Sequence, residues 1–162
     1  MLTKKYVDIT RKKLCVSQKS KSRKLKRKYK TVSYSRKISF GNKTFNQRVE
    51  LMVQPRYNLQ GSLKIFDGKK NISNIRFCED YNEHGTKHIY LYCLREKHPF
   101  LGGLFFVHSM LEIIQLAKKR GIHKVLAGVA EENATARSLY KKVGFKEKGI
   151  GRDGLIIIEM RI

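Results

Sequence analysis

The sequence predicts an α/β fold, one domain on a mixed sheet flanked by helices, preceded by a basic arm. Three observations lead there. Apolar residues alternate with period two over residues 32–53, 63–77 and 88–94, and they recur at helical spacing over residues 104–120 and 136–143. Between the helical stretches lies Lys124–Ala130, KVLAGVA, a continuous run of small apolar residues. Such a run suits a strand covered on both faces, hence parallel and helix-flanked. The 162 residues leave room for one core and a short extension, with no need of a metal or disulfide staple.

The chain opens on the arm. Lys19–Lys30 reads KSKSRKLKRKYK, eight cations in twelve positions. Like charges at this density repel, so the segment is expected to be extended when alone. Against a polyphosphate the same charges release counterions and bind. Lys19, Lys21, Arg23, Lys24, Lys26, Arg27, Lys28 and Lys30 are therefore the expected contacts to RNA, DNA or a ribosome. Residues 1–30 form the arm and residues 31–162 the folded domain.

Alternation begins after it. Val32, Tyr34, Ile38 and Phe40 share one parity, and Phe45, Val49, Leu51 and Val53 another, with Gly41-Asn42 as the turn of a hairpin. Leu63–Phe66 and Ile72–Phe77 form a second hairpin around Asp67-Gly68. The polar stretch 79–87 reads as a loop. His88–Leu94 is a strand with Ile89, Leu91 and Cys93 on one face and Tyr90 and Tyr92 on the other. A helix is expected over Leu104–Arg120, its stripe being Val107, Met110, Leu111, Ile114 and Ala117, and Gly121 caps it. A second helix starts at Asn133, a good N-cap, carries Ala136, Leu139, Tyr140 and Val143, and stops at Gly144. Phe145–Ile150 and Leu155–Ile162 are closing strands.

Composition bounds the function. Lys and Arg number 36 against 13 Asp and Glu, a formal charge of +23. Residues 1–50 hold 17 of those cations and 2 acids, a net +15. Full disorder is unexpected at 41% apolar residues. No apolar stretch of about 18 residues exists, which excludes a helical membrane span, and the N-terminus lacks the apolar centre of a secretory signal. Cys15, Cys78 and Cys93 are odd in number, widely spaced and without a CxxC. A disulfide framework is unexpected, and a reducing, cytoplasmic compartment fits best.

NATARSLYKKVGF, Asn133–Phe145, resembles the NxxAxxLYxKxGF block of the GNAT superfamily of N-acetyltransferases, and AKKRGIHKVLAGV before it is similar to the family's helix-to-strand passage. The resemblance spans about residues 87–162. It implies a mixed, mostly antiparallel sheet and acetyl-CoA as co-substrate. An acceptor amine attacks the thioester carbonyl, so it must first be neutral. The resemblance places Asn133 on the pantetheine arm and Tyr140 beside sulfur, where a phenol can protonate the leaving thiolate. Two helical turns separate these residues, so both face one side. It also assigns Cys93, Arg95, Gly102 and Gly103 to cofactor binding. The family's pyrophosphate loop, Arg/Gln-x-x-Gly-x-Gly/Ala, is altered here to His98-Pro-Phe-Leu-Gly-Gly103. His98 stands for the Arg, and Pro99 removes a backbone donor. The two helices that the family places after its first strand have no counterpart in residues 1–86.

Other constellations are weaker. His84-x3-His88 has the spacing of a ligand pair but no accompanying cysteine pair, so no metal is expected. Glu79, Asp80, Glu83 and Glu96 are acid–base candidates whose simpler reading is solvated loop charge. The positive charge disfavours cationic acceptors such as polyamines and favours an amine on an acidic carrier: aminoacyl-tRNA, a ribosomal protein or a nucleic-acid-bound protein. A second reading keeps the fold and drops catalysis, leaving a degenerate GNAT domain that binds nucleic acid or ribosomes.

Overall fold

The computed structural model describes residues 30–53, 59–96 and 101–162. The arm, apart from Lys30, and the loop residues His98, Pro99 and Phe100 lie outside the described residues, as do the side chains of Cys93 and Glu96. Eight strands form one sheet: β1 (Lys30–Phe40), β2 (Lys43–Val53), β3 (Gln60–Asp67), β4 (Lys70–Tyr81), β5 (Lys87–Glu96), β6 (Lys124–Val129), β7 (Lys146–Ile150) and β8 (Ile156–Arg161). Helix α1 (Gly102–Lys119) joins β5 to β6, and α2 (Ala134–Lys142) joins β6 to β7. The order is β1-β2-β3-β4-β5-β6-β8-β7. Only β5 and β6 are parallel; every other pair is antiparallel. A parallel pair needs a crossover, and α1 supplies it.

Both hairpins form. Phe40 pairs with Lys43 across Gly41-Asn42. The second turn sits one residue later than expected, over Gly68-Lys69, because Asp67 pairs with Lys70. β1 keeps its predicted parity but little of its burial. Ile38 is buried, whereas Val32 and Tyr34 are 39% and 43% exposed. The N-terminal half of α1 covers only the turn end of this hairpin, where Phe105 meets Phe40 and Phe45 edge-on at 5.2 and 5.0 Å. There Arg36 donates to Gln47 Oε1 at 2.8 Å and pairs with Glu112 of α1. His108 lies against both Arg36 and Gln47, and burial together with Arg36 lowers its pKa.

The face of α1 that meets the sheet differs from the expected stripe. Phe105, Phe106, Ser109, Met110, Ile113 and Ala117 are buried, while Val107 and Leu111 face solvent. The helix is apolar on two sides, and periodicity cannot say which one finds the sheet. Its predicted stop holds. Gly121 adopts φ 67°, open to glycine at little cost, and Ile122 N–H reaches back to Ala117 O at 2.9 Å. α2 ends similarly, with Phe145 N–H donating to Tyr140 O at 3.1 Å. Both helices lie on one face of the sheet, since the rings of Phe106 and Tyr140 meet at 5.0 Å.

The stretch expected as a loop is shorter, 82–86, and Glu79 and Asp80 belong to β4. Glu79 is 2% exposed and ties three elements together. It accepts from Leu59 N–H at 3.1 Å and from Arg120 Nη2, just past α1, at 2.6 Å, with Lys87 Nζ at 3.4 Å. Burial opposes its ionisation, but the Leu59 N–H and the two cations outweigh that and hold the carboxyl below its ordinary value. Cys78, also on β4, is disulfide-bonded, a correction to the expectation of wholly reduced cysteines.

Gly61 of β3 lies under the Phe77 ring. A Cβ there would fall inside the ring's van der Waals contact and 3.0 Å from Leu51 Cδ2. Gly61→Ala is expected to destabilise the domain by about 1–3 kcal/mol through overpacking, read as a lower urea midpoint. An unchanged midpoint would show that the ring moves aside freely.

Candidate active site

The sheet opens where β5 leaves β6. Only three residue pairs join them, Ile89–Val125, Tyr90–Leu126 and Leu91–Ala127. Beyond Leu91, β5 stays with β4 and β6 stays with β8, whose pairing runs on to Val129–Ile156. A bulge marks the parting. Arg76 pairs with Cys93 but Phe77 with Leu91, so Tyr92 is the extra residue. Gly128 sits at the same place on β6, where a Cβ would meet the Tyr90 hydroxyl at 2.8 Å.

Helix α1 follows β5 in the chain and begins at Gly102. Gly102 and Gly103 are its first two residues, Leu101 is the N-cap, and no side chain caps the end. No acidic residue occupies the first turn and Lys118 and Lys119 close the last, so the helix dipole is unopposed at an end suited to an anion. The nearest neighbour a Gly103 Cβ would meet is Leu139 Cδ1 of α2, at 3.8 Å. The start of α1 and the middle of α2 are therefore within packing distance of each other.

Tyr140 follows Leu139 on α2. It is 5% exposed, with its ring edge-on to Phe106 and Phe145, each at 5.0 Å. The ring is thus part of the core whatever its hydroxyl does. Asn133 caps α2, its Oδ1 accepting Ala136 N–H at 3.1 Å, so its carbonyl serves its own helix and its amide N–H groups are the donors left. Arg95 pairs with Asn74, on the sheet face opposite the helices, whereas Leu94 packs towards the helix side. The structure thus gathers Gly102, Gly103 and Tyr140 and places Arg95 across the sheet.

The acid–base candidates cluster elsewhere. Glu79 and Asp80 pair with Ile89 and His88, at the closed end of β5. Glu79 is committed to its ion pairs, and Glu83 is an exposed partner of Arg152 at 3.3 Å. His88 is buried, which lowers its pKa despite nearby Asp80. Among the described residues no group of three or more His, Cys, Asp or Glu could hold a metal ion.

Sequence reasoning missed a concavity of 360 Å³ on the helix-free face, bordered by Glu50, Ser62, Lys64, Arg76 and Tyr92. These residues come from four strands, and only the register joins them. Lys64 Nζ lies 2.7 Å from Glu50 Oε2, and that bond holds the Glu50 carboxyl below its ordinary value.

No family model matches the chain, and no curated protein does. Solved structures do match. The GNAT domain of S. lividans PAT shares 21% identity over 64% of this chain, with a TM-score of 0.52. The chain spans 61% of that protein's length. The NatC complex bound to Gag peptide and CoA matches at TM-score 0.53 and 15% identity, over 62% of this chain and 70% of the other. The chain has the GNAT fold. Aminoglycoside 6'-acetyltransferase type Ii shows the same likeness, with a TM-score of 0.53, 15% identity, and 63% and 68% of the two chains covered. The GNAT sheet is thus present, open between β5 and β6, with both described helices on one face.

Proposed function

We propose that this GNAT-fold domain is an acetyl-CoA-dependent N-acetyltransferase acting on an amine. The observation that carries the reading is the parting of β5 from β6 after three pairs, with β5 followed by a helix that opens on Gly102-Gly103. The residues present fit an anionic, extended thioester. Backbone N–H groups at the α1 terminus suit its phosphates. The gap between strands leaves backbone donors and acceptors unpaired for an amide-rich arm, and the Asn133 amide adds donors at its edge. Bound there, the co-substrate supplies the acetyl group. Tyr140 is the proton donor to the leaving thiolate, and a positioned acid of this kind contributes about 10²–10⁴ in rate. The acceptor amine is presented on an acidic carrier such as aminoacyl-tRNA or a ribosomal protein. The net charge of +23 attracts such a carrier and repels free polyamines. The basic arm, Lys19–Lys30, holds that carrier through its phosphates.

Saturating acetyl-CoA is expected to raise the melting temperature, because ligand that binds only the native state stabilises it, by about 2.7 kcal/mol at a hundredfold excess over Kd. ATP at equal concentration controls for phosphate attraction alone. Equal shifts with both would favour the second reading, a GNAT-fold binding module without catalysis, which the altered loop before Leu101 also suits.

A further inference from the structure

Cys78 is disulfide-bonded, and the chain offers two partners for it, Cys15 and Cys93. The register of the sheet decides between them. Cys78 of β4 stands opposite Tyr90 of β5, whereas Cys93 stands opposite Arg76. The two cysteines are thus diagonal neighbours at best, and such positions lie about 7–8 Å apart. A disulfide spans about 4.4–6.8 Å between Cα atoms, so the β4–β5 ladder holds Cys93 out of reach. The remaining sulfur is that of Cys15, in the basic arm and outside the described residues.

Two features of the sheet fit that partner. Ile75 and Phe77 belong to the core with Met110 and Ile113 of α1, so Cys78, next along the strand, points to the opposite face. Among the described residues no helix covers that face, and Arg76 on it is exposed, yet Cys78 is 2% exposed. The second feature is the row in which Cys78 stands. Thr31 pairs with Met52, Met52 with Gln60, and Gln60 with Cys78. β1 begins at Lys30, so the arm joins the sheet level with Cys78 and three strands away, about 14 Å. The chain from Cys15 to Lys30 reaches about 50 Å when fully extended, so the bond closes without distorting β1. Met52, an exposed apolar side chain of that row, lies on the way, and Leu14 and Val16 flank Cys15. We propose that the start of the chain itself occupies this face, anchored by a Cys15–Cys78 disulfide. The two thiols give up two protons and two electrons to a small-molecule disulfide, which leaves as two thiols. Lys19–Lys30 then forms a loop fixed at both ends, which holds its eight cations at one edge of the sheet. The anchor is independent of acetyl transfer.

The test is disulfide mapping of the full-length chain. Trypsin cuts after Lys and Arg and so separates the three cysteines, into residues 14–19, 77–87 and 88–95. The protein is equilibrated with oxidised glutathione, blocked with N-ethylmaleimide, denatured, digested and read by mass spectrometry. One cross-linked species joining residues 14–19 to 77–87 is expected, split by dithiothreitol with a gain of two hydrogens. The link is expected to persist in Cys93→Ser, and in Cys15→Ser residues 77–87 are expected in no cross-linked peptide. Brief trypsin treatment of the folded, unreduced protein gives a second readout. Cuts within Lys19–Lys30 are expected to leave the N-terminal fragment attached until dithiothreitol releases it. A link between residues 77–87 and 88–95 would overturn the proposal. So would a disulfide-linked dimer, the absence of any cross-linked peptide, or release of the N-terminal fragment without reductant.

Discussion

Replacing Tyr140 with phenylalanine is expected to lower turnover by about 10²-fold or more while acetyl-CoA binding stays near wild type. The substitution removes one hydroxyl and keeps the ring. The edge-on contacts with Phe106 and Phe145, each at 5.0 Å, are therefore retained. Loss of any hydrogen bond the hydroxyl makes costs about 1 kcal/mol of stability, too little to unfold the domain. Tyr140→Ala is the contrasting variant. It empties a core position and is expected to cost about 3–5 kcal/mol. The two together separate chemistry from packing, provided turnover is measured with the chemical step rate-limiting. If Y140F turns over at the wild-type rate, the tyrosine is a core residue alone and another group protonates the thiolate.

Glu79→Gln is expected to cost about 3–5 kcal/mol of stability, because it leaves the Arg120 guanidinium without its buried partner. The lower end is favoured, since the Arg120 and Lys87 side chains are 31% and 46% exposed and water compensates them in part. A pH signature accompanies it. The folded carboxyl titrates below its ordinary value of 4.5, so the native state binds fewer protons than the unfolded chain in that range. Its contribution is full above 4.5 and is lost as pH falls through the folded value. Urea denaturation from pH 7 downward should show a steeper loss in wild type than in Glu79→Gln. Glu50 and Glu159 are lowered as well, so the variant retains some acid sensitivity. Parallel curves for the two proteins would mean that folding does not lower the Glu79 carboxyl below its ordinary value.

The features legible beforehand are those whose causes are near in sequence. Gly121 and Gly144 stop the helices, and Asn133 starts α2, through hydrogen bonds spanning three to five residues, so composition alone reveals them. The buried run before α2 announced β6 as a strand, but it is parallel to β5 alone and antiparallel to β8, and both described helices lie on one of its faces. The same locality made the Asn133–Phe145 block recognisable. Glu79 shows the opposite case. Its neighbours Asp80, Asn82 and Glu83 have loop composition, yet it lies in a strand because Arg120, far along the chain, offsets the cost of burying its charge.

Periodicity determined that residues 104–120 are helical, but not their orientation. Phe105, Met110 and Ala117 turn inward because Phe40, Phe45 and the β4–β5 side chains leave space on that side, and Val107 and Leu111 are left outside. The sequence by itself determined the element order, the caps, the basic charge and the helix carrying Tyr140. Tertiary structure decided where β5 parts from β6, which face the helices cover, and that Ser35, Arg48, Lys64, Asn74 and Arg95 form one row. The division has a physical cause. Caps and turns arise from dihedral and hydrogen-bond preferences within a few residues, whereas a cross-strand row exists only after four strand pairings have closed their loops and set their register.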